Sequence, residues 1–397
     1  MSYFTVSDTL YSWMVEIRRH IHMYPELSFQ EKQTGAFICS KLDELGIPYR
    51  SEIGGSGVLA TVGHGENTRC VALRADMDAL PLHENTGLVF SSKNPGVMHA
   101  CGHDGHIAIL LGAASLLKEM DLPGRVRLIF QPAEEDGGGA RMMIRNGALE
   151  GVKAIIGGHL DRHFAVGEIA VQPGLICAFT DGFRIEIRGK GGHAAKPHET
   201  VDSIVVASLL VMSIQTLVSR EINPSLPTVI TVGKFSGGTA SNVIADKAVL
   251  EGTIRTTDRG VRESIKKGLA RMVRAMEDLY NAKTEILFIE GYPPIENDPQ
   301  ICRLARSAAE KTVGADRVKG LPYPSMGGED FSFYLEDVPG CFVRLGGGLE
   351  GPVNAPAHSP CFDFDEKALA IGASFMARAA FETLLNIEQV VETGATP

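Results

Sequence analysis

Residues 99–117 read HACGHDGHIAILLGAASLL, and the position of this stretch between short apolar runs indicates the fold class. Its second half, residues 105–117, has the apolar periodicity of a helix. The apolar runs before and after it, residues 71–75 (VALRA) and 126–130 (VRLIF), are typical of buried strands. Another strand is predicted at residues 154–157, after a helix at residues 137–146. Strands that alternate with helices predict an α/β domain on a largely parallel sheet covered on both faces.

Residues 181–290 follow a different pattern, in which two helices separate four strands. The predicted strands are residues 183–188, 229–235, 247–255 and 283–290, and the helices are residues 201–218 and one that Asp258 caps. The order β-α-β-β-α-β is that of a ferredoxin-like unit. After Pro293 and Pro294 the α/β pattern resumes, with helices at residues 300–313 and 365–385. We therefore predict an α/β domain in two parts, residues 1–179 and 292–397, around an inserted domain at residues 180–291.

The composition and net charge of the chain limit the classes of protein to which it can belong. The 397 residues are 44% hydrophobic and 22% charged, as in a folded soluble enzyme. The net charge is −10 and no block of Lys and Arg is present, which argues against nucleic acid as a partner. No run of 18 apolar residues predicts a membrane helix, and residues 1–14 lack the pattern of a signal peptide. Seven scattered cysteines do not form a disulfide framework, so we expect a reducing, cytoplasmic location.

Polar clusters follow the predicted strands or precede the predicted helix. They are residues 74–81 (RADMDALP), 99–106 (HACGHDGH), 131–136 (QPAEED), 157–159 (GGH) and 358–360 (HSP). In open α/β sheets the ligand crevice lies outside the carboxyl ends of the strands, so these clusters can converge. Cys, His and Glu are ligands for zinc and tolerable ones for manganese or cobalt, and a thiolate or carboxylate can bridge two ions. Glu134 and Glu135 are adjacent and would point to different sides, so one could ligate while the other handles a proton.

Simpler explanations exist for each cluster. A lone His at a strand end, such as His159, is more often a hydrogen-bonded structural residue than a ligand, and residues 134–136 could be only a negatively charged helix start. We interpret as structural or supporting the histidines His99, His106 and His163. We interpret as small buried hydrophobes the cysteines Cys39, Cys70, Cys177, Cys302, Cys341 and Cys361. The occurrence of all these polar clusters in one chain favours a functional site more strongly than any single residue does.

Two rival motifs carry less weight. Residues 189–194 (GKGGHA) fit a loose dinucleotide-binding pattern, but Pro197 interrupts the helix that a pyrophosphate would need. Cys101 could instead be a thiol nucleophile beside a histidine. That mechanism ranks second, because it leaves Glu134 and Glu135 without a role.

Together these motifs resemble those of the M20 metallopeptidase clan, in its amidohydrolase branch of hippurate hydrolases, N-acyl amino acid deacylases and auxin-conjugate hydrolases. The resemblance runs from residues 18–22 (RRHIH) and 25–27 (PEL) to residues 358–360. It implies a zinc-peptidase-like α/β catalytic domain with an inserted ferredoxin-like lid and dimerisation domain. It also implies two divalent metal ions per subunit, which are zinc, manganese, cobalt or nickel.

The resemblance assigns roles to residues of the catalytic domain. The implied metal ligands are Cys101, His103, Glu135, His159 and His358, with Cys101 in the bridging place. Glu134 matches the general base, and Asp78 matches the aspartate that orients a ligand. Asp76 stands where other branches carry a metal-binding His, which leaves its role open.

The resemblance extends to the inserted domain. Residues 192–197 (GHAAKP) match the segment whose histidine, His193, reaches into the partner subunit's active site, which implies a homodimer. Asn242 and Arg255 match lid residues that hold the substrate. The implied reaction is hydrolysis of an N-acyl amino acid, a small molecule. Two alternatives stay open: a dipeptidase or carboxypeptidase with the same metals, and a non-catalytic metal- or ligand-binding protein, against which the intact Glu134 argues.

Overall fold

The computed structural model describes residues 3–64, 69–349 and 354–388. The chain divides into two compact units. Unit 1 comprises Met1–Ile176, Ile295–Tyr323 and Glu329–Pro397, and unit 2 comprises Cys177–Pro294 and Pro324–Gly328. These boundaries lie three residues from the ones predicted at 179/180 and 291/292. The short segment of residues 324–328 had been placed with the α/β domain, but it pairs with unit 2, where the Ala178 amide donates to the Ser325 carbonyl at 2.9 Å. The predicted ends at residues 1 and 397 lie outside the described residues.

The described residues form helices and strands in the following order along the chain. The helices are α1 (Asp8–Met23), α2 (Lys32–Leu45), α3 (His103–Lys118), α4 (Gly139–Arg145), α5 (Ser203–Thr216), α6 (Arg259–Tyr280), α7 (Pro299–Val313), α8 (Tyr334–Asp337) and α9 (Lys367–Leu385). The strands are β1 (Tyr49–Ile53), β2 (Gly57–Val62), β3 (Cys70–Asp76), β4 (Arg125–Gln131), β5 (Ala154–Ala165), β6 (Ile169–Ala170), β7 (Gly174–Leu175), β8 (Phe179–Arg188), β9 (Gly192–His193), β10 (Thr228–Gly237), β11 (Val243–Ile244), β12 (Lys247–Thr256), β13 (Lys283–Glu290), β14 (Glu296–Asn297), β15 (Val318–Lys319) and β16 (Gly340–Gly348).

The large sheet of unit 1 is mixed rather than largely parallel. Its strand order over the described residues is β1-β2-β4-β3-β5-β16-β6-β15. The central strands β4, β3, β5 and β16 are parallel, whereas β1, β2 and the β16–β6 pair are antiparallel. Only three residues separate β1 from β2, and so short a connection can join antiparallel strands but not parallel ones. The prediction of a largely parallel sheet is therefore correct for the central strands and for the β6–β15 pair, which is also parallel, and wrong for β1, β2 and the β16–β6 pair.

The helices of unit 1 cover its sheet, as the burial of β3 and α3 shows. All seven residues of β3 are buried, as expected for a strand with both faces covered. Helix α3 is buried along nearly its whole length and packs against α1 and α9. A helix that is apolar on every side belongs in a core. The start of α3 is thereby held against the carboxyl ends of the central strands.

By length and composition alone, two of the described helical segments could span a membrane: Ser203–Glu221 and Lys367–Leu385. The second is 67% buried and lies in the core of unit 1, as core helices of soluble proteins do. The first is 33% buried and belongs to unit 2. Its exposed side includes the apolar residues Ile204, Val205, Leu209 and Met212.

Unit 2 is built on a four-stranded antiparallel sheet with the order β10-β12-β8-β13. Helices α5 and α6 pack against this sheet and against each other. Asp258 caps α6 by accepting a hydrogen bond from the Val261 amide at 2.8 Å. The β-α-β-β-α-β order and this strand arrangement are those of a ferredoxin-like unit.

Candidate metal centre

The candidate ligands of unit 1 come from four segments of the chain. Cys101 and His103 flank Gly102, which caps the start of α3 with a φ of +91°, a backbone conformation that favours glycine. Glu135 lies in the turn after β4, and His358, with a φ of +63°, follows β16. His159 was predicted to follow a strand, but it lies inside β5, which continues to Ala165 because β16 pairs with it there.

These side chains form overlapping groups whose ligand atoms lie within 4.8 Å of one another. One group is Cys101, His103 and His159, and another is Cys101, Glu135 and His358. The shared thiol suits two neighbouring cation sites, because a thiolate can bridge two ions. His103 Nε2 is buried without a hydrogen-bond partner among the described residues, and the buried Glu135 Oε1 lies 3.3 Å from Nε2 of His358, another candidate ligand. Buried polar atoms are normally paired, so these atoms fit ligands of a divalent cation.

His103 is oriented by its other ring nitrogen. Nδ1 lies 2.9 Å from the backbone carbonyl of Asp78 and 3.3 Å from Asp78 Oδ1. Because a carbonyl can only accept, Nδ1 carries a proton, and Nε2 is the ring nitrogen left to face a cation. Asp78 is held in turn by the Ser28 hydroxyl at 2.7 Å and the Glu135 amide at 3.1 Å, both of which donate to Oδ2.

Protons and cations compete for this site. Burial opposes a charge on His103, but Asp76, Asp78 and Cys101 raise its pKa well above the usual range. Hydrogen bonds to Cys101 and Glu135 raise the pKa of His358 to about 10. Burial, together with His106 and Arg344, lowers the pKa of His159 well below its usual value. A cation held here would therefore displace protons from His103 and His358 and meet a neutral His159.

Asp76, whose role the sequence left open, belongs to a hydrogen-bond network rather than to a further cation site. Its carboxylate accepts from Arg74 at 2.5 Å and from His106 Nδ1 at 2.6 Å. His106 Nε2 accepts from the Leu160 amide at 2.9 Å, so both ring nitrogens of His106 have protein partners. Asp76, His103 and His106 lie close enough to hold a cation, but His106 has no lone pair left for one. The interpretation of His106 as structural agrees with this geometry.

Glu134 and Glu135 share one group with His103, and each also has a group of its own. Glu135 lies with Cys101 and His358, whereas Glu134 lies with Glu329 and Asp330. Glu134 is 7% exposed. Burial and the neighbouring carboxylates raise the pKa of Glu134 well above its usual range. A carboxylate in these surroundings holds a proton more tightly than an exposed one does, so it can take part in proton transfer.

Sequence reasoning missed Glu329 and Asp330 beside Glu134, and it gave no role to Arg74 and Gln131 of the polar clusters 74–81 and 131–136. Arg74 donates to Asp330 at 2.8 Å, lies 3.1 Å from Glu329 and also holds Gln131 at 2.9 Å. Burial raises the pKa of Asp330 to about 8, against the effect of Arg74. The only signal in the sequence is an acidic pair after two glycines, at residues 327–330. A solvated loop would look the same.

The three remaining predicted residues lie in unit 2. His193 and Asn242 are exposed and close together, since β9 pairs with β11 and the Ala194 amide donates to the Asn242 carbonyl at 3.2 Å. Arg255 lies on β12 and donates from Nη1 to the Met326 carbonyl at 2.7 Å. The interpretation of the other cysteines as buried is wrong for Cys361, which is exposed in the turn after His358, and only partly right for Cys39, which is half-buried.

Comparison with known proteins places the chain in a family. The model of peptidase family M20/M25/M40 matches residues 72–382, more than half of the chain. The chain belongs to this family. An M20 relative, the N-acetyl-L-cysteine deacetylase of Bacillus subtilis, is 43% identical over 385 residues, which cover 96% of this chain and 91% of that protein. Thermostable carboxypeptidase 1 of Saccharolobus solfataricus is 41% identical, covering 91% of this chain and 93% of that protein.

A solved M20 structure has the same fold. The Bacillus subtilis YXEP protein, described as a dinuclear metal binding peptidase, superimposes with a TM-score of 0.82 at 34% identity, over 96% of this chain and 99% of that one. The mixed α/β fold is thus that of M20 peptidases, and the chain is a metal-dependent hydrolase of this family.

Proposed function

We propose that this protein hydrolyses the amide bond of N-acyl amino acids, with a water activated between two divalent cations. The observation that carries the proposal is the group of His103, Glu134 and Glu135, whose ligand atoms lie within 4.8 Å of one another, with His103 Nε2 buried and without a hydrogen-bond partner among the described residues. The substrate class is supported by the deacetylase relative, which is named for an N-acyl amino acid. We place the enzyme in the cytoplasm, in keeping with its scattered cysteines.

The proposed ligands are Cys101, His103, Glu135, His159 and His358, and the donor set suits zinc, manganese, cobalt or nickel. When bound, two such cations lower the pKa of water and polarise the amide carbonyl. Glu134 takes the proton of the attacking water and delivers it to the leaving amine. Asp78 keeps the His103 ring in the orientation that leaves Nε2 free. Each of these residues lies in unit 1.

We further propose that unit 2 binds the substrate and forms a homodimer. Arg255 suits the carboxylate of an amino acid, because its planar guanidinium can hold both oxygens. His193 and Asn242 are exposed and adjacent, as groups that receive a ligand must be. The apolar residues exposed on α5 support a contact with a second copy, since such patches on soluble proteins commonly mark interfaces.

A panel of substrates tests the proposal. The purified protein is stripped of metal, reloaded with manganese, cobalt or zinc, and assayed on N-acetyl, N-benzoyl and indoleacetyl amino acids and on unacylated dipeptides. We expect turnover of at least one acyl amino acid and little of the dipeptides. Turnover of dipeptides alone would favour the second candidate, a dipeptidase or carboxypeptidase, which the 41% identity to a carboxypeptidase supports. No turnover with any metal would leave the non-catalytic alternative.

A further inference from the structure

The turn that carries Glu134 and Glu135 is unusually constrained. Ala133, which is completely buried, has a φ of +51°, a left-handed conformation that residues with a Cβ rarely adopt. Its carbonyl accepts from the Gly139 amide at 3.2 Å, and the Glu134 carbonyl accepts from the Gly137 amide at 3.2 Å. A Cβ on Gly139 would lie 1.6 Å from the Pro132 carbonyl oxygen. The turn is therefore confined to one conformation, and a further contact is needed to hold Ala133 in it.

Glu31 provides that hold from a distant part of the chain. Its Oε1 accepts the Ala133 amide proton at 2.8 Å, and its Oε2 accepts from the Ser56 hydroxyl at 2.7 Å. Glu31 is completely buried and stands at the N-cap of α2, yet its side chain makes no hydrogen bond to that helix. N-cap side chains usually bond to their own helix. The carboxylate instead contacts a backbone amide 102 residues away.

The same short segment also holds the opposite side of the site. Leu27 forms a β-bridge with Ala79, next to Asp78, and the Ser28 hydroxyl donates to Asp78 Oδ2 at 2.7 Å. Asp78 Oδ2 also accepts from the Glu135 amide. Two carboxylates thus fix the amides on either side of Glu134: Glu31 holds the one at Ala133, and Asp78 the one at Glu135.

We propose that Glu31 is a positioning residue for the hydrolysis: it holds Ala133 in the left-handed conformation that sets the directions of the Glu134 and Glu135 side chains. The inference rests on the proposed function, in which Glu134 moves the proton. Without Glu31, Ala133 is free to return to an ordinary conformation, because its amide loses the partner that compensates for the strain. Such a change at residue 133 would move both glutamates together.

Three substitutions of Glu31 test this role. Glu31→Ala should lower kcat about 10–100-fold, the usual effect of removing a group that supports a site, with KM within about twofold of wild type. Glu31→Gln should stay within about threefold of the wild-type kcat, because the amide oxygen can accept from Ala133 while its NH₂ donates to the rotatable Ser56 hydroxyl. Glu31→Asp keeps the charge but is too short to reach both partners, so its kcat should fall between those of the other two variants. Glu31→Asp carries the test if Glu31→Ala does not fold.

Glu26→Ala is the matched control. Glu26 lies in the same segment, and its carboxylate accepts from the Thr34 amide at 2.9 Å and hydroxyl at 3.0 Å, at the start of the same helix. It should lower the melting temperature without the kcat loss of Glu31→Ala. The proposal is overturned if Glu31→Ala loses no more kcat than Glu26→Ala, if the loss lies in KM, or if Glu31→Gln is as slow as Glu31→Ala.

Hydrogen exchange of the metal-free protein separates this inference from the proposed function. Deuterium uptake in a peptide covering residues 132–139 should be at least about tenfold faster in Glu31→Ala than in wild type, and close to wild type in Glu31→Gln. Unchanged uptake in Glu31→Ala would refute the hold on Ala133, whatever the activity. If wild type turned over no acyl amino acid while this exchange pattern held, the proposed function would fail and the hold itself would stand.

Discussion

Glu134 and Glu135 are neighbours in the chain but lie in different surroundings, and a pair of substitutions exposes the difference. Glu134→Gln should keep both cations and lose at least about 100-fold in kcat, because an amide cannot accept the proton. Glu135→Gln should lower the bound metal, since Glu135 lies with Cys101 and His358. The measurements are metal content by elemental analysis and kcat on the best acyl amino acid. Equal metal loss in both variants would contradict this division of roles.

Cys101 offers a second test at the scale of single atoms. A thiolate bound to a cation is shielded from reagents, so stripping the metal should make one further cysteine react quickly. Peptide mapping should locate the new label at Cys101. The exposed Cys361 serves as the internal control, because it should be labelled with or without metal. Equal labelling of Cys101 in both states would count against its role as a ligand.

The candidate ligand residues could be singled out in the sequence because Cys, His and Glu are conspicuous beside apolar strands and helices, and the family resemblance then implied their roles. The groups that surround these residues could not be predicted from the sequence. Arg74 is part of a strand, and Glu329 and Asp330 resemble a solvated loop. Glu31 and Ser28 act through a hydrogen bond to a partner far along the chain. Nothing local marks such a residue, because its importance depends on which distant atom it meets.

At the scale of elements, α1 is joined to the start of α3 by a buried ionic network. His22 Nδ1 lies 2.8 Å from Asp104, and His22 Nε2 lies 3.3 Å from Glu84. Arg18 also donates to Asp104, at 2.9 Å. Burial alone would lower the pKa of His22, but Asp104 and Glu84 raise it to about 9. His22 is therefore protonated in the folded protein at neutral pH, with the buried ring of His99 nearby.

This network predicts a dependence of stability on pH. The folded pKa of His22 lies above its unfolded value of about 6.5, so the stabilisation is complete below about pH 6.5 and is lost as pH rises through about 9. The difference in unfolding free energy between wild type and His22→Gln should shrink by about 3 kcal/mol over that range. Chemical denaturation at several pH values measures it. The same substitution at the exposed His163 is the control, and a flat difference for His22→Gln would refute the charge assignment.

Apolar patterning predicted β3, β4 and most elements of unit 2 well, but it began β8 at residue 183 rather than at Phe179 and missed the two-residue strands β9 and β11. It shortened β5, predicted at residues 154–157, because Asp161, Arg162 and His163 interrupt the apolar run. Pairing with β16 extends the strand to Ala165. Strand length here is set by a partner 185 positions along the chain, since Gly340 pairs with Ile155. Single-sequence periodicity cannot show such pairing.

At the scale of the whole molecule, the proposed dimer makes a distinct prediction about His193. Homodimers of His193→Ala and of Glu134→Gln should both be nearly inactive. In a mixed dimer, the subunit with His193→Ala keeps its own Glu134 and receives an intact His193 from the partner subunit. Random mixing of equal amounts gives half heterodimers, each with one working site, so activity should recover to about a quarter of wild type.

Mass spectrometry must first show that the subunits exchange. A fluorescent label on one variant gives the time at which mixing is complete, and activity is then measured on the same sample. Confirmed heterodimers without activity would mean that His193 serves its own subunit. Mixing either variant with itself is the control and should give no recovery.

The proposed ligands are far apart along the chain, which has a consequence for the order in which they are synthesised. Cys101 and His358 are 257 residues apart (358 − 101), so at roughly 5–20 residues per second the ribosome delivers the second some 13–50 s after the first. Strand β16 and helix α9, which complete unit 1, are delivered in the same late portion of synthesis. If both residues hold metal, as proposed, Cys101 is synthesised well before its full set of co-ligands. Complete loading with metal would then follow completion of the chain.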